Sequence, residues 1–494
     1  MLYKSTRSQK GPYLNSADAI KRGIAPDGGL FVPEKIPKLT EKDLRELLRA
    51  DYPTRAAKIL SMFLSDYAYE ELLEDCEKAY STTSFVGGRA PLVSLDKVRS
   101  VMELWHGPTA AFKDMALQIM PRLLSRALVK TNEKRTALIL VATSGDTGKA
   151  ALEGYRDVPG VKIMVFYPVD GVSRVQKLQM STQLGENVNV TAIKGNFDDA
   201  QNGVKAMFGD ESLAGELDGM GYFFSSANSI NWGRLAPQIV YYVSAYCDLI
   251  NEGRLKMGET FNVSVPTGNF GNIFAAYLAK KMGLPIDRMI CASNQNNILT
   301  DFLSTGTYDR NRHFYLTMSP SMDILISSNL ERLLYFVAGP SKAAEYMAAL
   351  KETGKYTVEP EFMNEIRRHF VGYYADEEAT AKTIKGTFDA FGYLPDTHTA
   401  VALSAAEQYL KETGDDRPLV IDSTASPFKF AKDVYKSITG KDAPSDLAAL
   451  NLLSETTGKE IPYPLADLEK RAVRFTEVVG KDEMKAAVLA YLNK

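Results

Sequence analysis

Residues 261–283, FNVSVPTGNFGNIFAAYLAKKMG, decide the fold class. Phe261–Val265 is a short β-branched run, PTGNFGN is a glycine-rich loop, and IFAAYLAKKMG is helical in pattern. The same unit recurs in both directions along the chain. Upstream, the apolar run ALILVA (137–142) leads into TSGDTG and the helical KAALEGYRDV, and VKIMVFY (161–167) is a further strand. Downstream, Leu419–Asp422 leads into STASPFKF and another helix. Strand, small-residue loop, helix is the pattern of a parallel α/β sheet, whose ligands sit beyond the carboxyl ends of the strands. These loops should therefore face the site.

Each loop has a chemistry of its own. In PTGNFGN, Gly268 and Gly271 let backbone amides approach a ligand closely, and the helix that follows offers free N–H groups to an anion, a phosphate above all. No Lys-Ser/Thr pair follows the glycines, which disfavours a nucleotide P-loop. TSGDTG presents the Thr143, Ser144 and Thr147 hydroxyls at a helix start, suited to a carboxylate or phosphate. Asp146 is out of place beside an anion and reads equally as a helix cap. In HGPTAAFKD (106–114), Lys113 stands alone among small and apolar residues. Burial would depress its pKa and supply the free amine that Schiff-base chemistry needs, although an arbitrary lysine more often lies on the surface. Ser423 or Thr424, at the end of the last strand, suits a heterocyclic nitrogen or a helix cap.

The rest of the sequence sets limits. A length of 494 residues implies two or three domains. The net charge of -3 gives no pull toward nucleic acid or an anionic membrane. Three dispersed cysteines and four unpaired histidines carry neither disulfide nor metal spacing, and fit a reducing compartment. No apolar run reaches the roughly 18 residues of a membrane span and the N-terminus has no signal-peptide core, so a cytoplasmic protein is expected. From Glu41 to Tyr80, Leu44, Leu47, Leu48, Leu60, Phe63 and Leu64 recur at helical intervals.

Taken together, GIAPDGGLFVP, ELWHGPTAAFKD, ATSGDTG, SSANSINWGRLAPQ, VPTGNFGN, PDTHTAVAL and DSTASPFKF, from about residue 24 to 430, resemble the fold-type-II pyridoxal-phosphate enzymes. Within that group the chain looks like the threonine synthases, especially their longer microbial form. The resemblance implies two parallel-sheet α/β domains with the cofactor between them. We divide the chain into an N-terminal helical region (1–88), a cofactor-binding α/β region (89–310), a mostly helical insertion (311–390) and a C-terminal return to the catalytic domain (391–494).

The resemblance also assigns roles. Lys113 would hold pyridoxal 5'-phosphate covalently, Gly268, Asn269, Phe270, Gly271 and Asn272 would bind its phosphate, and Thr424 would meet the pyridine nitrogen. Thr143, Ser144, Asp146 and Thr147 would surround the substrate carboxylate. Asn228, Ser229 and Arg234 would take the substrate phosphate, although Arg234 reads equally as half of a surface salt bridge. His398 reads as a residue that lines the site or simply packs there, with packing preferred. Ser426 stands where the family often has histidine, which puts any role of a histidine there in doubt.

The implied reaction is γ-elimination followed by β-addition on O-phospho-L-homoserine, with Lys113 as the general base. Three rivals remain: a lyase giving 2-oxobutyrate, a β-replacement enzyme acting on O-phosphoserine, and a non-catalytic binding protein. The expected partner is the small-molecule substrate, and the chain is expected to be a monomer or homodimer.

Overall fold

Two parallel sheets organise the chain in a computed structural model that describes residues 1–143, 145–170 and 172–493, apart from the side chain of residue 198. The larger has six strands, in the order Phe370–Tyr374, Ile286–Ser293, Phe261–Pro266, Leu419–Ser423, Arg99–Glu103 and Leu92–Ser94. All neighbours are parallel except the last pair. The smaller has five parallel strands, in the order Val478–Gly480, Val188–Lys194, Val161–Pro168, Thr136–Ala142 and Tyr222–Ser225. Every residue of Phe261–Pro266 and Leu419–Ser423 is buried. Burial on both faces fits central strands of a parallel sheet covered by helices.

The threading places the loops. The smaller sheet is formed largely by chain that runs between Arg99–Glu103 and Phe261–Pro266. Those two strands are not neighbours, because Leu419–Ser423 slots between them. The strand order thus reverses beside Leu419–Ser423, the kind of position where a crevice opens at the strands' carboxyl ends.

The N-terminal region holds the expected helices, Ser16–Arg22, Glu41–Arg49, Tyr52–Phe63 and Tyr69–Ala79, and an antiparallel pair, Tyr3–Ser5 with Phe31–Pro33. Thr40 and Asp43 form a reciprocal capping box that starts the second helix, a contribution of about 1 kcal/mol. Leu44, Leu47, Leu60, Phe63 and Leu64 are buried, as their spacing predicts. Tyr3 and Phe63 pack on the fully buried Trp232 with ring centroids 5.4 and 5.5 Å away. This region therefore braces the segment that carries Arg234.

Segment 311–390 is mostly helical and adds one strand to the larger sheet. It contains the helix Leu330–Thr353, kinked at Gly339, and the helices Pro360–Arg367 and Glu377–Phe391. It also supplies Phe370–Tyr374, the parallel edge strand of the larger sheet. The last segment serves both sheets, through Leu419–Ser423 in one and Val478–Gly480 in the other. No helix among the described residues is long and apolar enough to cross a membrane.

Candidate active site

The loop after Arg99–Glu103 is stitched to the loop after Leu419–Ser423. The Phe112 amide donates to the Thr424 carbonyl at 2.7 Å, and the Ser426 amide donates to Ala110 at 3.0 Å. Ala110 adopts a left-handed conformation (φ 58°), uncommon for a residue with a side chain, to make the turn. Asp114 closes it, accepting from the Thr109 amide at 2.8 Å and the Thr109 hydroxyl at 2.7 Å. Lys113 follows the turn with its side chain 11 % exposed. Burial pushes its amine down to about 8, with Asp146 opposing and Arg234 and Lys429 pushing the same way.

The strand end tells its two hydroxyls apart. Ser423 Oγ is engaged, accepting from Trp105 Nε1 at 3.0 Å, from the Thr399 hydroxyl at 3.0 Å and from the Tyr393 hydroxyl at 3.3 Å. Thr424 is buried, yet nothing among the described residues pairs with its hydroxyl. Neither residue caps a helix. Ser426 does that, accepting from the Phe428 amide to start the turn Pro427–Phe430.

In TSGDTG, the Thr143 hydroxyl accepts from the Gly145 and Gly148 amides, each at 2.9 Å, which shapes the loop. Gly145 has φ 140°, closed to other residues, and a side-chain carbon there would strike Gln176. Thr147 is half-buried at the start of the helix Asp146–Tyr155, and Ser144 lies outside the described residues. Asp146 does not cap this helix. One carboxylate oxygen, Oδ1, accepts from Lys429 Nζ at 2.8 Å and from Gln176 Nε2 at 3.0 Å. The other, Oδ2, faces Lys113 Nζ at 4.0 Å. Burial alone would raise its pKa, but Lys429 and then Lys113 outweigh it and hold the carboxyl well below its ordinary range. An anion so placed is suited to Lys113 rather than to a second carboxylate.

In PTGNFGN, Phe270 is left-handed (φ 63°) and opens the helix Gly271–Met282, whose first amides have no side-chain cap. Gly268 has no room for a side chain, since a Cβ would lie 2.6 Å from the Ser321 carbonyl oxygen. The loop is pinned from outside by Ser327 Oγ, which donates to Gly268 O at 2.6 Å, and by Asn329, whose backbone and side-chain amides both donate to Asn269 O at 3.0 Å. Asn269 is exposed. The Asn272 side chain turns into the core, where it lies within hydrogen-bond reach of the Tyr241 and Tyr242 hydroxyls. Asn272 therefore meets an anion only through its backbone.

Arg234 is buried rather than at the surface, and the salt-bridge reading fails. Its Nη1 donates to the Ala227 carbonyl at 2.8 Å, and no carboxylate among the described residues pairs with it. Burial pushes the guanidinium down to about 10. Ser229 is half-buried and accepts weakly from Asn329 Nδ2 at 3.4 Å, and Asn228 is exposed. His398 does more than pack. Its Nε2 accepts from the Ser321 amide at 3.1 Å and its Nδ1 meets Asp396 at 3.0 Å, which fixes the loop lying over Gly268.

Family models match the whole architecture: "Threonine synthase N terminus" over residues 2–80, "Pyridoxal-phosphate dependent enzyme" over 84–423, and "Threonine synthase, C-terminal" over 399–488. The threonine synthase of Pseudomonas aeruginosa is 40% identical over 482 residues, covering 96% of this chain and 95% of that one. The chain belongs to the threonine synthase family. Human threonine synthase-like 1 is 40% identical over 86% of this chain, although the match spans only 58% of that longer protein. Among solved structures, the pyridoxal-phosphate-bound threonine synthase of Brucella melitensis superposes with a TM-score of 0.88, at 36% identity and full coverage of both chains.

As a member of the threonine synthase family, the chain is a pyridoxal-phosphate enzyme of fold type II. Its residues fit the cofactor: a nearly buried lysine, a hydroxyl at the neighbouring strand end without a partner among the described residues, and a cradle at Gly268 that admits no side chain. No cluster of metal-ligating residues occurs among the described residues. Sequence reasoning missed Lys429, and the only signal for it was a lysine inside the otherwise apolar PFKF.

Proposed function

We propose that the chain converts O-phospho-L-homoserine and water to L-threonine and inorganic phosphate. The observation that carries this reading is Arg234, a buried guanidinium without a carboxylate partner among the described residues, whose charge reaches Lys113. A buried cation lacking an anion is costly unless a ligand brings one, and a phosphate ester does so. With one N–H fixed by Ala227, the guanidinium keeps its other donors for phosphate oxygens, helped by Asn228 and Ser229.

Pyridoxal phosphate, when bound, supplies an electron sink that acidifies the substrate's Cα and then Cβ hydrogens. Lys113 would attach it, Thr424 would meet its ring nitrogen, and the backbone of Gly268, Asn269, Phe270, Gly271 and Asn272 would hold its phosphate. The hydroxyls of Thr143, Ser144 and Thr147 donate to the substrate carboxylate. The Lys113 amine, lowered to about 8, is basic enough to take a proton from carbon and free enough of its own proton near neutrality to do so. It removes hydrogens at Cα and Cβ and returns one at Cγ. Phosphate leaves Cγ with the bonding electron pair, and Arg234 stabilises the charge that develops there. Water then adds its hydroxyl at Cβ, its other proton goes to the released phosphate, and Lys113 returns a hydrogen to Cα.

The deciding experiment supplies O-phospho-L-homoserine to the purified holoenzyme, with Lys113→Ala as control. Threonine and phosphate in equal amounts, abolished by the substitution, are expected. Formation of 2-oxobutyrate would make the chain a lyase, and turnover of O-phosphoserine alone would make it a β-replacement enzyme. Absence of turnover on all of these would overturn the reading.

A further inference from the structure

Three loops from two sheets meet at one ammonium. Lys429 lies in the turn Pro427–Phe430, and its side chain is 0 % exposed. Its Nζ donates to the Thr109 carbonyl at 3.0 Å, in the loop that carries Lys113, and pairs with Asp146 Oδ1 at 2.8 Å, in the loop after the smaller sheet's Thr136–Ala142 strand. Gln176 also donates to that oxygen, so among the described residues the hydrogen bonds to this carboxylate go to Oδ1. Oδ2 is left pointing at Lys113, 4.0 Å away. A buried lysine is rare without a reason, and this one sits where a bare Asp146 carboxylate would otherwise capture the Lys113 amine as an ammonium ion.

We propose that Lys429 is a positioning residue: its ammonium orients the Asp146 carboxylate and offsets its charge, so that Lys113 faces a fixed oxygen without being locked into an ion pair. The remaining charged groups facing Lys113 are Arg234, from the segment after Tyr222–Ser225, and Asp114, its own neighbour. Neither reaches Asp146 by a hydrogen bond among the described residues, so the offset falls to Lys429. The inference rests on Lys113 as the cofactor lysine.

The test uses apoenzyme prepared from the holoenzyme, and follows covalent uptake of pyridoxal phosphate by absorbance across pH. In that step the unprotonated Lys113 amine attacks the aldehyde carbon and the aldehyde oxygen leaves as water, so the midpoint of the pH profile reports the amine. Lys429→Met should move the midpoint up by about one unit, slowing uptake about tenfold at pH values below both midpoints. Lys429→Met with Asp146→Asn should bring it back down. Asp146→Asn alone, which leaves the Lys429 charge without its counter-ion, should lie below the double variant.

If Lys429→Met does not fold, the comparison of Asp146→Asn with the double variant decides. A shared midpoint for those two, or an unmoved midpoint in a folded Lys429→Met protein, would overturn the proposal and leave Lys429 a structural contact. Lys113→Ala must abolish uptake, and if it does not, the assignment of Lys113 fails instead.

Discussion

Thr424 and Phe112 share a hydrogen bond of 2.7 Å, from the Phe112 amide to the Thr424 carbonyl. The residue before Lys113 is thereby tied to Thr424, whose hydroxyl has no partner among the described residues, and a bridge between Ala111 and Ala425 reinforces the link. The two groups proposed to bind opposite parts of the cofactor are held by one piece of backbone. Their separation is thus set by main-chain hydrogen bonds and not by flexible side chains.

Because the Thr424 hydroxyl lacks a protein partner among the described residues, its removal should cost the fold nothing. Thr424→Val should leave the melting temperature of the apoprotein unchanged. Losing one hydrogen bond to the cofactor, about 1 kcal/mol, should weaken pyridoxal phosphate about fivefold in an equilibrium titration. Equal affinity in the variant would remove Thr424 from the cofactor site.

Arg234 makes the opposite kind of test, since no carboxylate among the described residues pairs with its buried charge. Arg234→Met should melt at or above the temperature of the native protein. Inorganic phosphate should raise the melting temperature of the native protein but not of the variant. In kinetics, KM for the phosphorylated substrate should rise about 100-fold, an order typical of losing a charged bidentate contact. Arg234→Lys should restore only part of it, because an ammonium cannot fork. Phosphate stabilising both proteins alike would place the substrate phosphate elsewhere.

How much of this was legible in the sequence depends on how local the signal was. Strand, loop and helix follow one another within two dozen residues, so the loops and the parallel sheets could be read from residues 137–158, 261–283 and 419–430. What pairs across the fold could not. Asp146 and Lys429 come from different sheets, and nothing near either residue announces the other. Asp146 therefore read as a cap or a substrate contact, and Lys429 was not read at all. Arg234 read equally as a phosphate contact or half of a surface ion pair, because the groups around it, among them Asp114, Tyr155 and Tyr241, come from other parts of the chain. The edge strand Phe370–Tyr374 was hidden for another reason: half-buried, with a glycine in its middle, it lacks the apolar run that marks a central strand.

Gly268 was legible as a glycine of a binding loop, and the structure gives a second reason for it. A methyl group there would meet the Ser321 carbonyl at 2.6 Å, and that carbonyl belongs to the loop held by His398. Gly268→Ala must displace one loop or the other, at about 1–3 kcal/mol of overpacking. Both thermal stability and cofactor affinity should fall. His398→Ala, which loosens the covering loop, should recover part of the cofactor affinity in the double variant. If the two losses simply add, the clash is relieved in some other way.

Asp422 sets a pH dependence of stability separate from catalysis. Burial raises its carboxyl from the model-peptide value of 3.8 to about 7, against a lowering hydrogen bond from the Tyr242 hydroxyl. A carboxyl harder to ionise in the folded state adds stability that is fully present below pH 3.8 and is lost as pH rises through 7. Between those values the unfolded chain gives up the proton and the folded one keeps it. Asp422→Asn keeps an oxygen to accept from Tyr242 and removes the titration. The variant should gain stability relative to the native protein as pH climbs from about 4 to about 7, with no further gain above that range. Denaturant unfolding at pH 5, 6, 7 and 8 measures the difference, and parallel curves would mean that Asp422 stays ionised in the fold.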